Sequence, residues 1–219
     1  DHIGEFFPDS PIWFGWLGRL AAPLFVYALA VGFHHTRNRK KYLLRLYLAN
    51  VGMIFFNQIM HILQRKLDYV VYEPTNHNIF TTLFCAGVLI CIWENRKEKK
   101  KFLTYIGIYI FWQAMLIKLA ILVETYDYLW YGNARLETVL RTDYIFPLLG
   151  GIWDVEGGVF FIALGVCLYC AVEDRWKLTL YYILFCGTYL LMCEGDILYR
   201  IMNRFSFWGY HKLADIIYV

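Results

Sequence analysis

Asn78-Ile79-Phe80-Thr81-Thr82-Leu83-Phe84-Cys85-Ala86-Gly87-Val88-Leu89-Ile90-Cys91-Ile92-Trp93 carries no formal charge, and Arg96-Lys97-Glu98-Lys99-Lys100-Lys101 follows almost at once. A helix crossing the hydrocarbon core needs about 20 mostly apolar residues. An apolar run closed by a dense basic loop therefore reads as a membrane span meeting an aqueous face. The same criterion gives further helices near Ile12 to Phe33, Leu43 to Leu63, Phe102 to Val123, Tyr144 to Val172 and Leu178 to Cys193, with a poorer candidate from Ile197 to Val219. Tyr144 to Val172 is too long for one straight span, and Pro147, Gly150-Gly151 and Gly157-Gly158 are expected to break it into a short re-entrant or tilted piece and a main span. The expected fold is all-α: a polytopic transmembrane bundle of about seven to nine spans, forming one domain over residues 1–219.

Composition agrees. Of 219 residues, 59% are hydrophobic and 20% aromatic, more apolar material than a soluble domain of this size can bury. The net charge of +3 is modest and sits in short loops, and no nucleic-acid motif is visible. The six cysteines, at 85, 91, 167, 170, 186 and 193, lie in or at the ends of apolar segments and read as small apolar side chains. Cys167-Leu168-Tyr169-Cys170 has a CxxC spacing, but no second ligand pair accompanies it, so no metal is expected.

Lysine and arginine counts orient the chain. Arg37, Arg39, Lys40 and Lys41 follow the first span, Arg96 to Lys101 the third, and Arg175 and Lys177 the broken one, while the alternating loops carry two basic residues each. The three basic loops are thereby expected to be cytoplasmic. Asp1 to Pro11 then faces outward. The chain does not begin with Met, and part of a preceding helix is expected to be missing.

Three groups of polar residues fall within or beside the spans. Asn50, Asn57, His61 and Gln64 fall at i, i+7, i+11 and i+14, one face of a helix. That face suits either a substrate path or inter-helix hydrogen bonding. Arg19 lies inside the first apolar run, where a charge costs roughly 2.5–3.5 kcal/mol on insertion scales and is a functional candidate. Asp1-His2 precede it; neighbouring helical residues do not face each other, so Asp1 is better placed to pair with Arg19 than with His2. Asp154 and Glu156 stand at a helix boundary, where they suit either an acceptor path or an ordinary interface. His34 and His35 read as a loop edge.

Asp1-His2-Ile3-Gly4, Gly18-Arg19-Leu20-Ala21 with Pro23 and Phe25, the run Gly32 to Leu46 and Asn78-Ile79-Phe80-Thr81-Thr82-Leu83 together resemble the TraX family of integral-membrane acetyltransferases, whose named member acetylates the N-terminus of conjugative pilin. The resemblance is dense from Asp1 to about Trp93. Beyond that it rests on Asp154, Gly157-Gly158 and an echo around His211. It implies an acetyl-CoA-dependent enzyme of the bacterial cytoplasmic membrane, related to acyltransferases that carry acetyl groups from cytoplasmic acetyl-CoA to acceptors on the other side. It further implies His2 as catalytic histidine with Asp1 beside it, and Arg19, Arg37, Arg39, Lys41 and Arg45 as coenzyme contacts. Asn50, Asn57, His61, Asn78 and Asp154 are the candidates for binding the acceptor, an amine or hydroxyl of a peptide, protein or glycan.

The residue types suit that chemistry. A histidine near neutral pKa can take the acceptor's proton, an assistance that typically contributes about 10² to 10⁴ in rate, or can carry the acetyl group itself. Guanidinium groups bind the phosphates of coenzyme A in bidentate fashion. Simple topology determination accounts for the loop charges equally well. The rival classes are a small-molecule transporter, which inverted repeats would favour but which shows none here, and a non-catalytic protein of envelope assembly.

Overall fold

The computed structural model describes residues 13–66, 78–131, 146–152, 155 and 157–193. Its elements are α1 (Trp13–His35), α2 (Arg39–Lys66), α3 (Ile79–Glu94), a 3₁₀ turn (Asn95–Lys97), α4 (Lys99–Tyr131), α5 (Phe146–Leu149), α6 (Gly158–Ala171) and α7 (Arg175–Cys193). No strand occurs among the described residues. Asp1, His2, Asp154 and the candidate span from Ile197 lie outside them.

Helix starts follow from short polar side chains. The Asn38 side-chain oxygen accepts from the backbone N–H of Lys41 at 3.0 Å, Asn78 accepts from Phe80 at 3.0 Å, and Asp174 accepts from Trp176 at 3.1 Å, each covering an N–H that the first helical turn leaves unpaired. Asn95 closes α3 from the other side, donating its side-chain amide to the Cys91 carbonyl at 2.8 Å.

Helix α3 is the hub, packed against α2, α6, α1 and α4. Small residues allow it. A Cβ on Gly87 would lie 2.8 Å from Leu43 Cδ2 and 3.0 Å from the Phe33 ring, so α1, α2 and α3 meet there. A Cβ on Gly165 would lie 3.1 Å from Ala86 and 3.4 Å from Val26, which brings α1, α3 and α6 together. The core filled around these approaches is Val26, Leu29, Ala30 and Phe33 from α1, Leu83, Ala86 and Ile90 from α3, and Ile162, Leu164 and Leu168 from α6. Small-residue contact of this kind replaces the hydrophobic driving force that helices lack when their surroundings are themselves apolar.

Large apolar side chains also face outward. Leu103, Ile108, Ile110, Phe111 and Leu122 on α4, Leu48, Phe55 and Ile59 on α2, and Ile183 and Leu184 on α7 are all more than half exposed. So many exposed large apolar side chains are rare on a soluble monomer. Among the described residues, Ile79–Lys97 and Lys99–Leu119 are long and apolar enough to cross a membrane, and Ala21–His35, part of α1, and Gly158–Ala171 are shorter apolar stretches. Helix α2 carries Arg39, Lys40, Lys41 and Arg45 at its start and Arg65-Lys66 at its end, with no charged residue from Leu46 to Leu63 between them.

The long stretch from Tyr144 is broken, as its glycines led one to expect. Helix α5 ends in a Schellman-type closure, in which the Gly151 N–H donates to the Phe146 carbonyl at 2.8 Å around Gly150 at φ 69°. Gly157 at φ 72° and Gly158 at φ 60° then start α6. Pro147 lies inside α5, so the glycines, not the proline, make the break.

Candidate functional site

Two polar constellations stand out against this apolar background. The first holds the broken segment. Asn50, fully buried on α2, donates its side-chain amide to the Pro147 carbonyl at 2.7 Å, and its own oxygen accepts from the Asn78 side-chain amide at 2.8 Å and the Thr81 hydroxyl at 2.7 Å. Helix α4 contributes the Trp112 indole N–H to the Leu149 carbonyl and the Gln113 amide to the Gly150 carbonyl, each at 3.0 Å. Gln113 also accepts from the Ile152 N–H at 3.2 Å, and the Cys85 thiol of α3 lies 3.5 Å from the Gly150 carbonyl. The carbonyls of Pro147, Leu149 and Gly150 are thus met by side chains from three other helices. Irregular backbone within an apolar environment persists only on that condition.

Asn50 and Asn78, two of the acceptor-binding candidates, are therefore joined in one network that also fixes the broken segment. Asn57 lies two turns further along α2, half-buried. His61 and Gln64 follow on the same helix and Arg19 lies within α1.

The second constellation lies where α1 ends, α2 begins, α3 ends and α6 ends. Arg39 donates to Glu94 through Nη2 at 2.9 Å and through Nε at 3.4 Å, and also to the Thr36 carbonyl. Its guanidinium stands 5.5 Å from the centroid of the Phe33 ring. Tyr169 donates its hydroxyl to the same Glu94 carboxylate at 2.5 Å, and its ring meets Phe33 edge-on. Both charged side chains are about 30% exposed or less, so the pair is partly shielded from solvent.

Beside this pair opens a pocket of about 260 Å³ lined by His34, Trp93, Arg96, Tyr169, Cys170 and Glu173. Arg96 stacks over the Trp93 indole at 5.2 Å from its centroid, and His34 Nε2 lies 3.5 Å from the Glu173 carboxylate. The three basic loops accordingly share one end of the bundle. Arg37, Lys41 and Arg45 are exposed at that end or just beyond it along α2, while Arg39 is occupied by Glu94. No group of three metal-ligating side chains occurs among the described residues.

Residues 1–189 match the family model described as TraX protein. The chain belongs to the TraX family. The match covers α1 to α6 and nearly all of α7, so TraX character runs well past Trp93, where the motif resemblance thins. No curated protein and no solved structure matches this TraX chain.

Sequence reading missed Glu94, Tyr169 and Gln113. Glu94 and Gln113 carried a signal, a carboxylate and an amide inside or at the edge of spans. Tyr169 carried none, since it looks like any aromatic residue of an apolar helix.

Proposed function

We propose that this TraX protein is a polytopic membrane acetyltransferase of the bacterial cytoplasmic membrane, moving an acetyl group from cytoplasmic acetyl-CoA to an amine or hydroxyl of a peptide, protein or glycan. Family membership over residues 1–189 carries the reading. The exposed apolar surface of α2, α4 and α7 supports insertion in a bilayer, with the basic end on the cytoplasmic side.

In this reading Arg37, Lys41 and Arg45, exposed around the start of α2, offer their cationic groups to the phosphates of the coenzyme. His2 takes the proton of the attacking amine or hydroxyl as its nitrogen or oxygen bonds to the thioester carbonyl carbon. The C–S bond then breaks and the coenzyme leaves as its thiol. Arg19 offers a charge partner for Asp1.

Protein purified in detergent and given radiolabelled acetyl-CoA is expected to transfer or hydrolyse the label, and His2→Ala to abolish this with the melting temperature retained. Full activity in that variant would overturn the assignment.

A further inference from the structure

The pocket between α1, α3 and α6 is distinct from the basic start of α2 that the family resemblance highlights. Its walls differ in kind. Arg96 and His34 supply two nitrogen donors at its rim, and Trp93 and Tyr169 supply aromatic rings. Arg96 is anchored on one side only: its Nη1 reaches the Trp93 carbonyl at 3.4 Å and its Cζ stands over the indole, 5.2 Å from the centroid, leaving the other donors of the guanidinium unassigned in an exposed side chain. Glu173, which faces His34, is four-fifths exposed and can turn into solvent. Tyr169 is not adjustable, because its hydroxyl is bound to Glu94, which Arg39 holds in turn.

A volume of about 260 Å³ falls just under the usual range of roughly 300–1,000 Å³ for small-molecule sites, so the pocket fits one end of a ligand, not a whole coenzyme. An arginine held beside an indole suits a planar, anionic group: the guanidinium offers a fork for phosphate oxygens next to an aromatic ring. We propose that this pocket seats a phosphate-bearing group, with the phosphorylated adenosine end of the acyl-CoA donor as its occupant, held by Arg96 and His34 and stacked against Trp93. This rests on the acetyltransferase reading. The same phosphate chemistry has a second source in the headgroup of an anionic lipid.

Binding of coenzyme A and of adenosine 3′,5′-bisphosphate is to be measured by calorimetry on the full chain in nanodiscs of phosphatidylcholine alone, and again with phosphatidylglycerol added. Arg96→Ala is expected to weaken both ligands ten-fold or more, and Trp93→Leu to weaken the bisphosphate several-fold. Lys99→Ala, an exposed cation outside the pocket, should leave both unchanged. Bisphosphate binding that phosphatidylglycerol suppresses in wild type, with Arg96→Ala insensitive to the lipid, would support the seat and assign it to a lipid headgroup. Coenzyme A binding that is unaffected by Arg96→Ala and Trp93→Leu would overturn the pocket while leaving the acetyltransferase reading intact. Absence of any coenzyme A binding to wild type would overturn the reading on which it rests.

Discussion

Arg39, the first residue of α2, is bound in an ion pair at 2.9 Å to Glu94, the last residue of α3, 55 positions away in the chain. Two antiparallel helices are thereby pinned at one level, and Tyr169 ties α6 to the same carboxylate. Because both charges keep some contact with water, the pair is worth more than an open surface bridge and less than its Coulomb attraction in a dry interior would suggest.

Glu94→Ala, which removes the acceptor for both Arg39 and Tyr169, is expected to cost about 1–3 kcal/mol. Glu94→Gln keeps an acceptor for Tyr169 and should cost less. Melting curves in detergent check the order, and a double-mutant cycle of Glu94→Gln with Arg39→Met should be clearly non-additive. Additive losses would mean that the pair contributes nothing.

Asn50→Leu keeps the approximate volume and removes three hydrogen bonds. At about 0.6 kcal/mol for a typical side-chain bond between membrane helices, the loss would be near 2 kcal/mol, more if the Pro147 carbonyl and Thr81 hydroxyl find no new partner. Asn57→Leu should change stability by under about 0.5 kcal/mol, since Asn57 has no such partner among the described residues. Equal effects of the two would refute the assignment of Asn50 to the segment network.

Gly157 and Gly158 differ in what surrounds them. A Cβ on Gly157 would fall 2.1 Å from the Phe161 ring, which is itself packed edge-on against Phe185, whereas a Cβ on Gly158 would meet nothing within 4 Å. Both have positive φ, which costs an L-residue about 1–2 kcal/mol. Gly158→Ala should therefore lose about that amount and Gly157→Ala about 2–5 kcal/mol. The reverse order in thermal denaturation would count against the described break.

Much of this was legible beforehand. Apolar runs between basic loops located α1 to α4, α6 and α7, and the glycine pairs located the break, because lipid-length periodicity and positive-φ chemistry are local properties. The N-cap at Asn78 coincides with the predicted start of the third span for the same reason. The pairing of Arg39 with Glu94 was not legible: Arg39 reads as a loop charge or a coenzyme contact, and only the antiparallel packing of α2 on α3 brings it to Glu94. Nor was the work of Gln113 and Trp112, since their partners are backbone carbonyls, which every residue possesses and no sequence advertises.

Asp174 gives a pH signature. Its carboxylate binds Lys177 Nζ at 3.1 Å and caps α7 through the N–H groups of Trp176 and Lys177, and these contacts, the Lys177 side chain first, hold its pKa below the ordinary carboxylate value. A depressed folded-state pKa contributes stability that is present above the unfolded value, about 3.9, and fades as pH falls through the folded one. Asp174→Asn should thus melt below wild type at neutral pH, with the difference closing below about pH 4. A gap independent of pH would show that the charge plays no part.

Ile108, more than half exposed on α4, tests the surroundings of that helix. Ile108→Asp should raise the apparent cost of insertion by about 3 kcal/mol if the residue faces lipid near mid-bilayer, and should leave a water-facing helix unharmed. Glycosylation-mapped insertion of the Lys99–Leu119 segment distinguishes the two outcomes.

Among the described residues, the side-chain hydrogen bonds that secure the piece from Phe146 to Gly150 come from side chains elsewhere and end on main-chain oxygens. The shape of the segment is thus encoded outside itself. Its own half-exposed Leu148 is free to vary among apolar residues, while Asn50, Trp112 and Gln113 are not. A saturation scan would find the most intolerant positions for this piece on α2 and α4, 37 to 97 residues upstream in the chain, and a graft of the segment alone into another protein would carry none of its conformation along.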